Sequence, residues 1–137
     1  MFTDELAKVV LGLKAQCEPG VTSILSTHFT VPGCNMESGQ TALFAQFEPV
    51  IYPDTLKAAD FDLVALGHIH RPQQLPEAGR AVFYCGSITG LNFNDENQPR
   101  GFYIHDIDDD GEAWSEYVET LPESRPSASK RTTSAQC

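Results

Sequence analysis

The chain has 137 residues, of which 41% are apolar, and its formal net charge is −10, which is typical of one soluble globular domain. Residues 1–120 hold 18 acidic and 6 basic side chains, a composition that disfavours nonspecific nucleic-acid binding through Lys and Arg. No apolar run approaches the roughly 18 residues of a membrane helix, and the first residues are acidic where a signal peptide is basic. We therefore expect a cytoplasmic protein with no membrane partner.

Apolar spacing and turn residues predict a series of short elements. In chain order they are a helix at 3–17, a strand at 22–29, a loop at 30–40, a short helix at 53–59, strands at 61–66 and 81–85, and a hairpin of strands at 101–107 and 112–119. This order predicts a mixed α/β (α+β) fold that ends in an antiparallel hairpin. We expect residues 1–120 to form one folded unit and the Pro-, Ser- and Thr-rich residues 121–137 to form a disordered tail.

Three histidines follow apolar strands. His28 comes after the first predicted strand, and His68 and His70 come just after the strand at 61–66. Ligands in α/β proteins bind outside the carboxyl ends of strands, and residues two apart in an extended segment point the same way. Gly67 would permit a sharp turn there, and imidazole suits zinc, manganese, iron and nickel. The plain alternative is a turn with two solvated histidines.

The residues around these histidines resemble a known family. The sequence FDLVALGHIHRPQ at 61–73 resembles the GHxH block of calcineurin-like metallophosphoesterases, and more narrowly that of SbcD-type DNA repair exonucleases. The segment ILSTH at 24–28 resembles the preceding histidine block of that family, and FYCGS at 83–87 resembles the strand that follows. The resemblance extends over residues 24–108.

The resemblance implies part of an αββα sandwich and two divalent metal ions, manganese first, with magnesium, iron or zinc as alternatives. In such a site the metals activate water for attack on a phosphodiester and clamp the phosphate. His28 and His68 would bind one ion and His70 the other, with Gly67 as the supporting turn. The resemblance also implies DNA as substrate, an SbcC-type coiled-coil ATPase as partner, and a homodimer.

Gly86 and Ser87 follow the strand at 81–85. They do not match a phosphate-binding P-loop. We expect either a plain turn after the strand or a loop that faces the substrate beside the metals.

Several motifs of the family are missing from this sequence. The family's Asp-x-His, Gly-Asp and Gly-Asn-His blocks supply the bridging carboxylate and a general-acid histidine, and none occurs here. We therefore expect this chain to be the C-terminal half of a nuclease domain that depends on a missing N-terminal half and is weakly active or inactive alone. The alternatives are a phosphoesterase acting on nucleotides or other phosphoesters, a non-catalytic metal- or partner-binding remnant, and a mononuclear zinc site of three histidines.

Two other features favour structural roles. The acidic run at 106–111 matches the first, third, fifth and sixth positions of an EF-hand loop, but Tyr117 stands at the twelfth, where a bidentate Glu is required. Strand-like alternation on both sides favours an acidic hairpin turn over a calcium site. His105 alternates along the same predicted strand, so we expect it to be a structural histidine.

Overall fold

The computed structural model describes residues 2–36, 49–88 and 99–120. Its elements are α1 (Phe2–Lys14), β1 (Ile24–Thr27), α2 (Pro53–Ala59), β2 (Leu63–Leu66), β3 (Gln73–Gln74), a 3₁₀ turn (Pro76–Ala78), β4 (Val82–Tyr84), β5 (Gly101–Ile107) and β6 (Ala113–Glu119). Two helices, a mixed sheet and a final antiparallel hairpin confirm the mixed α/β class. The predicted loop beyond residue 36 and the predicted tail at 121–137 lie outside the described residues.

The larger sheet has four strands in the order β1-β2-β4-β3. β1, β2 and β4 are parallel, and β3 runs antiparallel to β4. The sequence of β2, Leu-Val-Ala-Leu, is apolar throughout and mostly buried, as expected for a central parallel strand that is covered on both faces. β1 and β2 pair residue by residue from Ile24↔Leu63 to Thr27↔Leu66, so both strands end at the same edge.

The two faces of this sheet have separate cores. Along β4, Val82 and Tyr84 belong to the larger cluster, whereas Phe83 between them belongs to the smaller one, because successive strand side chains point to opposite faces. The larger cluster includes residues of both helices, such as Val10 and Leu56. The smaller cluster packs against residues of the β5–β6 hairpin. The described residues therefore form three layers: helices, sheet and hairpin.

α1 ends earlier than its apolar spacing predicts. The helix ends at Lys14 rather than at residue 17. The N–H groups of Gln16 and Cys17 donate to carbonyl oxygens three residues back, at 3.1 and 3.0 Å, so the last turn tightens into 3₁₀ geometry. Within the described residues, no helix has the length and hydropathy required to cross a membrane.

Candidate metal centre

Two of the three predicted metal ligands meet at the carboxyl edge of the sheet. His28 directly follows β1, and Gly67 and His68 directly follow β2. The pairing of the two strands continues one step further, since the Gly67 N–H donates to the Thr27 carbonyl oxygen at 2.8 Å. The rings of His28 and His68 lie edge to face, with centroids 5.2 Å apart and planes at 68°. The parallel pairing of β1 and β2 thus brings together two histidines that lie 40 positions apart in the sequence.

Gly67 provides space for this approach. A Cβ atom at position 67 would lie 2.6 Å from His28 Nδ1 and 3.3 Å from its Cε1, which is closer than ordinary van der Waals contact. The sequence predicts a permissive turn at Gly67, and the structure shows that the unusual backbone angle is at the next residue. The positive φ lies at His68, at 91°, and Gly67 is not a positive-φ residue. A non-glycine residue in such a conformation stores strain of order 1–3 kcal/mol and is found most often at functional sites.

His70 lies next to the predicted substrate loop. The Ser87 N–H donates to the His70 carbonyl oxygen at 3.1 Å. Gly86 has a φ of 77°, and a Cβ atom there would lie 2.8 Å from Cδ of Pro72. The loop is therefore pressed against the segment that carries His70, and only glycine fits this contact without strain.

The side chain of His70 is placed differently from the other two. Its Nδ1 atom is buried and forms no hydrogen bond with the described residues, while the residue takes part in another interaction. Within residues 2–36, 49–88 and 99–120, no three His, Cys, Asp or Glu side chains are grouped so that they could hold a metal ion. The described structure thus brings His28 and His68 into ring contact and leaves His70 outside a single three-ligand group with them.

Tyr84 fixes the segment that follows His28. Its hydroxyl accepts a hydrogen bond from the Val31 N–H at 2.8 Å and donates one to the Phe29 carbonyl oxygen at 2.7 Å. The residue is completely buried, and burial raises the pKa of Tyr84 far above its usual range, which keeps the hydroxyl protonated as a donor. Sequence reasoning missed this role because Tyr84 stands in an apolar strand, where an aromatic residue indicates only core packing.

Gln73 connects the histidine segment to the loop after β1. Its side-chain oxygen accepts from the Asn35 N–H at 2.8 Å, and its side-chain nitrogen donates to the Asn35 carbonyl oxygen at 3.0 Å. The same nitrogen lies 3.3 Å from the carbonyl oxygen of Arg71. These bonds hold the segment after His70 against the loop after β1.

A groove of about 360 Å³ lies at the opposite edge of the sheet. Lys14, Asp62 and Gly111 are among its lining residues. Asp62 Oδ2 accepts hydrogen bonds from the backbone N–H and the hydroxyl of Ser23, both at 2.7 Å. Burial acts to raise the pKa of the Asp62 carboxyl, but these hydrogen bonds and the nearby positive charges outweigh it, so the pKa lies below its ordinary value. This groove stands apart from the histidines.

The second part of the acidic run, residues 108–111, forms the turn of the hairpin. β5 and β6 flank it, and one carboxylate oxygen of Asp108 accepts the N–H groups of Asp110 and Glu112 at 3.0 and 2.9 Å. The preference for a hairpin turn over an EF-hand is confirmed, because an EF-hand loop joins two helices.

His105 packs on the inner face of the hairpin. Its ring centroid lies 5.0 Å from that of Phe83 and 5.6 Å from that of Tyr103. Its Nδ1 is 2.8 Å from the Ser115 hydroxyl, and burial lowers its pKa. These contacts confirm a structural role.

Comparison with protein families finds no family model that matches the chain, and comparison with curated proteins finds no match. The similarity to metallophosphoesterases therefore stands on the motifs in the sequence.

Proposed function

We propose that this chain contributes metal ligands to the dinuclear centre of a metal-dependent phosphodiesterase, a DNA exonuclease of the SbcD type. The observation that carries the proposal is the contact between the His28 and His68 rings, with centroids 5.2 Å apart, at the carboxyl edge of two adjacent parallel strands. Such an edge is where α/β proteins bind ligands.

The geometry of the two rings fits shared metal coordination. In a tetrahedral zinc site, ring nitrogens about 2.0–2.1 Å from one ion would place the two ring centres about 5 Å apart, so the observed separation of 5.2 Å leaves room for one ion between the rings. His28 is exposed to solvent, so an ion can reach it without opening the core. The strained backbone at His68 also supports a functional role, since selection for packing alone would favour glycine at that position.

The proposal assigns His28 and His68 to one ion and His70 to the second, with manganese as the first choice of metal. Divalent ions at this edge would activate water, neutralise charge on the phosphate and offset the acidity of the chain. The bond between Ser87 and His70 supports a substrate-facing role for Gly86 and Ser87, because it keeps their loop beside the third histidine. A second polypeptide segment would provide the bridging carboxylate, and the assembly would include an SbcC-type ATPase, DNA and a second copy of the chain.

The three layers formed by the described residues support a more specific proposal about the fold. Helices cover one face of the mixed sheet and a second, two-stranded sheet covers the other. We propose that these three layers belong to an αββα sandwich of the metallophosphoesterase type.

Paramagnetic broadening by Mn²⁺ tests the site. The chain has four histidines, so NMR should resolve four imidazole Hε1 signals. We expect substoichiometric Mn²⁺ to broaden the signals of His28 and His68 first, followed by His70. The signal of His105, which packs against Phe83 on the hairpin side, should stay sharp and serves as an internal control. Broadening of all four signals in parallel, or of His105 first, would refute the metal site.

Turnover tests the expectation of an incomplete site. We expect the chain alone to hydrolyse bis-p-nitrophenyl phosphate no faster with Mn²⁺ than His68→Ala does. Robust Mn²⁺-dependent turnover that His68→Ala abolishes would contradict the need for a second segment while leaving the metal site intact. The two experiments thus separate metal binding from completeness.

A further inference from the structure

His70 needs a support that the parallel strands do not provide. The pairing of β1 with β2 extends to the bond from the Gly67 N–H to the Thr27 carbonyl oxygen, which places His28 and His68 side by side. His70 lies beyond that bond, between β2 and β3. The register of the two strands therefore fixes the first two histidines and leaves the position of the third to other contacts.

The side-chain amide of Gln73 is such a contact. Its oxygen accepts from the Asn35 N–H at 2.8 Å and its nitrogen donates to the Asn35 carbonyl oxygen at 3.0 Å. Asn35 thus bonds through both of its backbone groups, as a residue does in a hydrogen-bonded pair of a sheet. The same nitrogen lies 3.3 Å from the carbonyl oxygen of Arg71, the residue directly after His70. The amide therefore joins the loop after β1 to the segment that carries the third histidine.

Gln73 and Tyr84 hold the same loop. They are direct partners in the β3–β4 pairing, so their side chains lie on the same face of the sheet. Tyr84 bonds to the backbone of Phe29 and Val31, and Gln73 bonds to that of Asn35. Two neighbouring side chains of the sheet thereby hold the loop near its start and again further along.

These contacts close a ring of chain at the carboxyl edge of the sheet. From His28 the ring follows the loop to Asn35, crosses to Gln73, and returns through His70 and β2 to β1. All three predicted ligands lie on this ring. Without the Gln73 amide, His70 would keep the bond to Ser87, which joins it to the loop after β4 and not to the loop that begins at His28.

We propose that Gln73 is a positioning residue, which sets the place of His70 relative to His28 and thereby the spacing of the two metal ions. The inference rests on the proposed function, which assigns these two histidines to different ions. Two-metal centres hold their ions about 3.5–4 Å apart, so a small shift of His70 would misplace the second ion. Both polar atoms of the Gln73 amide have backbone partners, so the residue acts through the histidine segment rather than as a ligand.

Zinc binding, followed through the NMR signals of the imidazole nitrogens, tests the proposal. Zn²⁺ is diamagnetic, so a large change in a ring-nitrogen signal marks a ring that binds the ion directly. In the unmodified chain, we expect His28 and His68 to respond together and His70 to respond at a higher Zn²⁺ concentration.

Gln73→Met keeps the length of the side chain and removes the amide. We expect His28 and His68 to respond to Zn²⁺ as in the unmodified chain, because the β1–β2 pairing still holds them. His70 should require about tenfold to hundredfold more Zn²⁺, the usual effect of losing a residue that orients a ligand. A residue that only stabilises the fold would not produce this split, since general loosening affects all three rings.

Gln74 provides the matched control. It is the other residue of β3, and its side-chain nitrogen donates to the Arg80 carbonyl oxygen at 3.2 Å. Successive strand side chains point to opposite faces, so Gln74 points away from the loop after β1. Gln74→Met removes a bond of the same kind from the same strand and should leave the response of every histidine unchanged.

Gln73→Glu is a second variant with the shape of glutamine. One carboxylate oxygen can still accept from the Asn35 N–H, but the other would face the Asn35 carbonyl oxygen, where a donor is required. We expect the same selective loss at His70, although the added negative charge attracts Zn²⁺. The His105 signal reports in each variant whether the chain is folded.

The outcomes separate this inference from the proposed function. Equal weakening at all three histidines, or the same loss in Gln74→Met, would overturn the role of Gln73 in positioning. An unchanged His70 response in both Gln73 variants would overturn it as well and leave the proposed function intact. If no histidine of the unmodified chain responds to Zn²⁺, the proposed function fails, and the role of Gln73 fails with it.

Discussion

Replacing Gly67 by alanine should separate metal binding from folding. The new methyl group would lie 2.6 Å from His28 Nδ1, where ordinary contacts begin at about 3.4 Å, so the His28 ring must move by roughly 1 Å. We expect Gly67→Ala to remain folded and to bind Mn²⁺ more weakly, because the ring that moves is one of the two proposed ligands of one ion.

The structure sets the size of both effects. His28 is exposed and its ring can rotate into solvent, so relief of the clash should cost under about 1 kcal/mol. Gly67 is not a positive-φ residue, so alanine fits the backbone and stabilises the fold by about 0.4–1 kcal/mol through the unfolded state. These terms nearly cancel. A metal–nitrogen bond of about 2.1 Å tolerates little displacement, so affinity should fall about 10- to 100-fold, as for other changes that misplace a metal-binding histidine.

Urea unfolding measures the change in stability. Titration with Mn²⁺, followed through the His28 Hε1 signal, measures the change in metal affinity. Gly12→Ala is the matched control, since nothing lies within 4 Å of a Cβ atom at that helical position. It should stabilise the chain by about 0.5–1 kcal/mol and leave Mn²⁺ binding unchanged. The reasoning is refuted if Gly67→Ala binds Mn²⁺ like the unmodified chain, or if it unfolds more than about 2 kcal/mol more easily.

Three further changes test the strain, the bracing and the pH response. His68→Gly should be about 1 kcal/mol more stable than His68→Ala in urea, because glycine accepts the φ of 91°, and equal stability would contradict strain there. Tyr84→Phe should cost about 2–3 kcal/mol in the same assay, since it leaves the Val31 N–H without its acceptor; a cost below about 0.5 kcal/mol would contradict the brace. Burial lowers the pKa of His105 from 6.5, so the unfolded chain binds a proton more readily and stability should fall as the pH drops below about 6.5. His105→Gln should flatten that part of the stability–pH profile, and an unchanged slope would show that another group causes it.

The sequence predicts best those elements whose signal is local. α2 and β5 have the predicted boundaries, and β2 begins only two residues later than expected. A proline at the start and the left-handed Asp60 at the end define α2, while unbroken apolarity defines β2. The placement of His28 and His68 at strand ends follows from the same local signals.

Features that depend on distant residues could not be predicted. β3 consists of two glutamines, Gln73 and Gln74, which have no strand-like apolar alternation and become a strand only by pairing with β4. The need for glycine at position 67 depends on the His28 ring, which only the β1–β2 pairing brings near. Local sequence rules predict that Gly67 makes the turn. In the structure, Gly67 leaves room for the His28 ring, and the positive φ is at His68.

The residue types at positions 67 and 68 connect the fold to the proposed chemistry. Relaxing the backbone at residue 68 by placing glycine there would remove an imidazole, and filling the space at 67 would displace another. The surrounding bonds offset the strain: the Gly67 N–H pairs with Thr27, and Tyr84 holds the segment after His28. The position of the His28 ring explains the empty space at 67 in either case, but a turn with two solvated histidines gives no reason for the strain at His68, whereas a functional site gives one. The proposed metal site therefore accounts for the residue type at 68 better than a plain turn does.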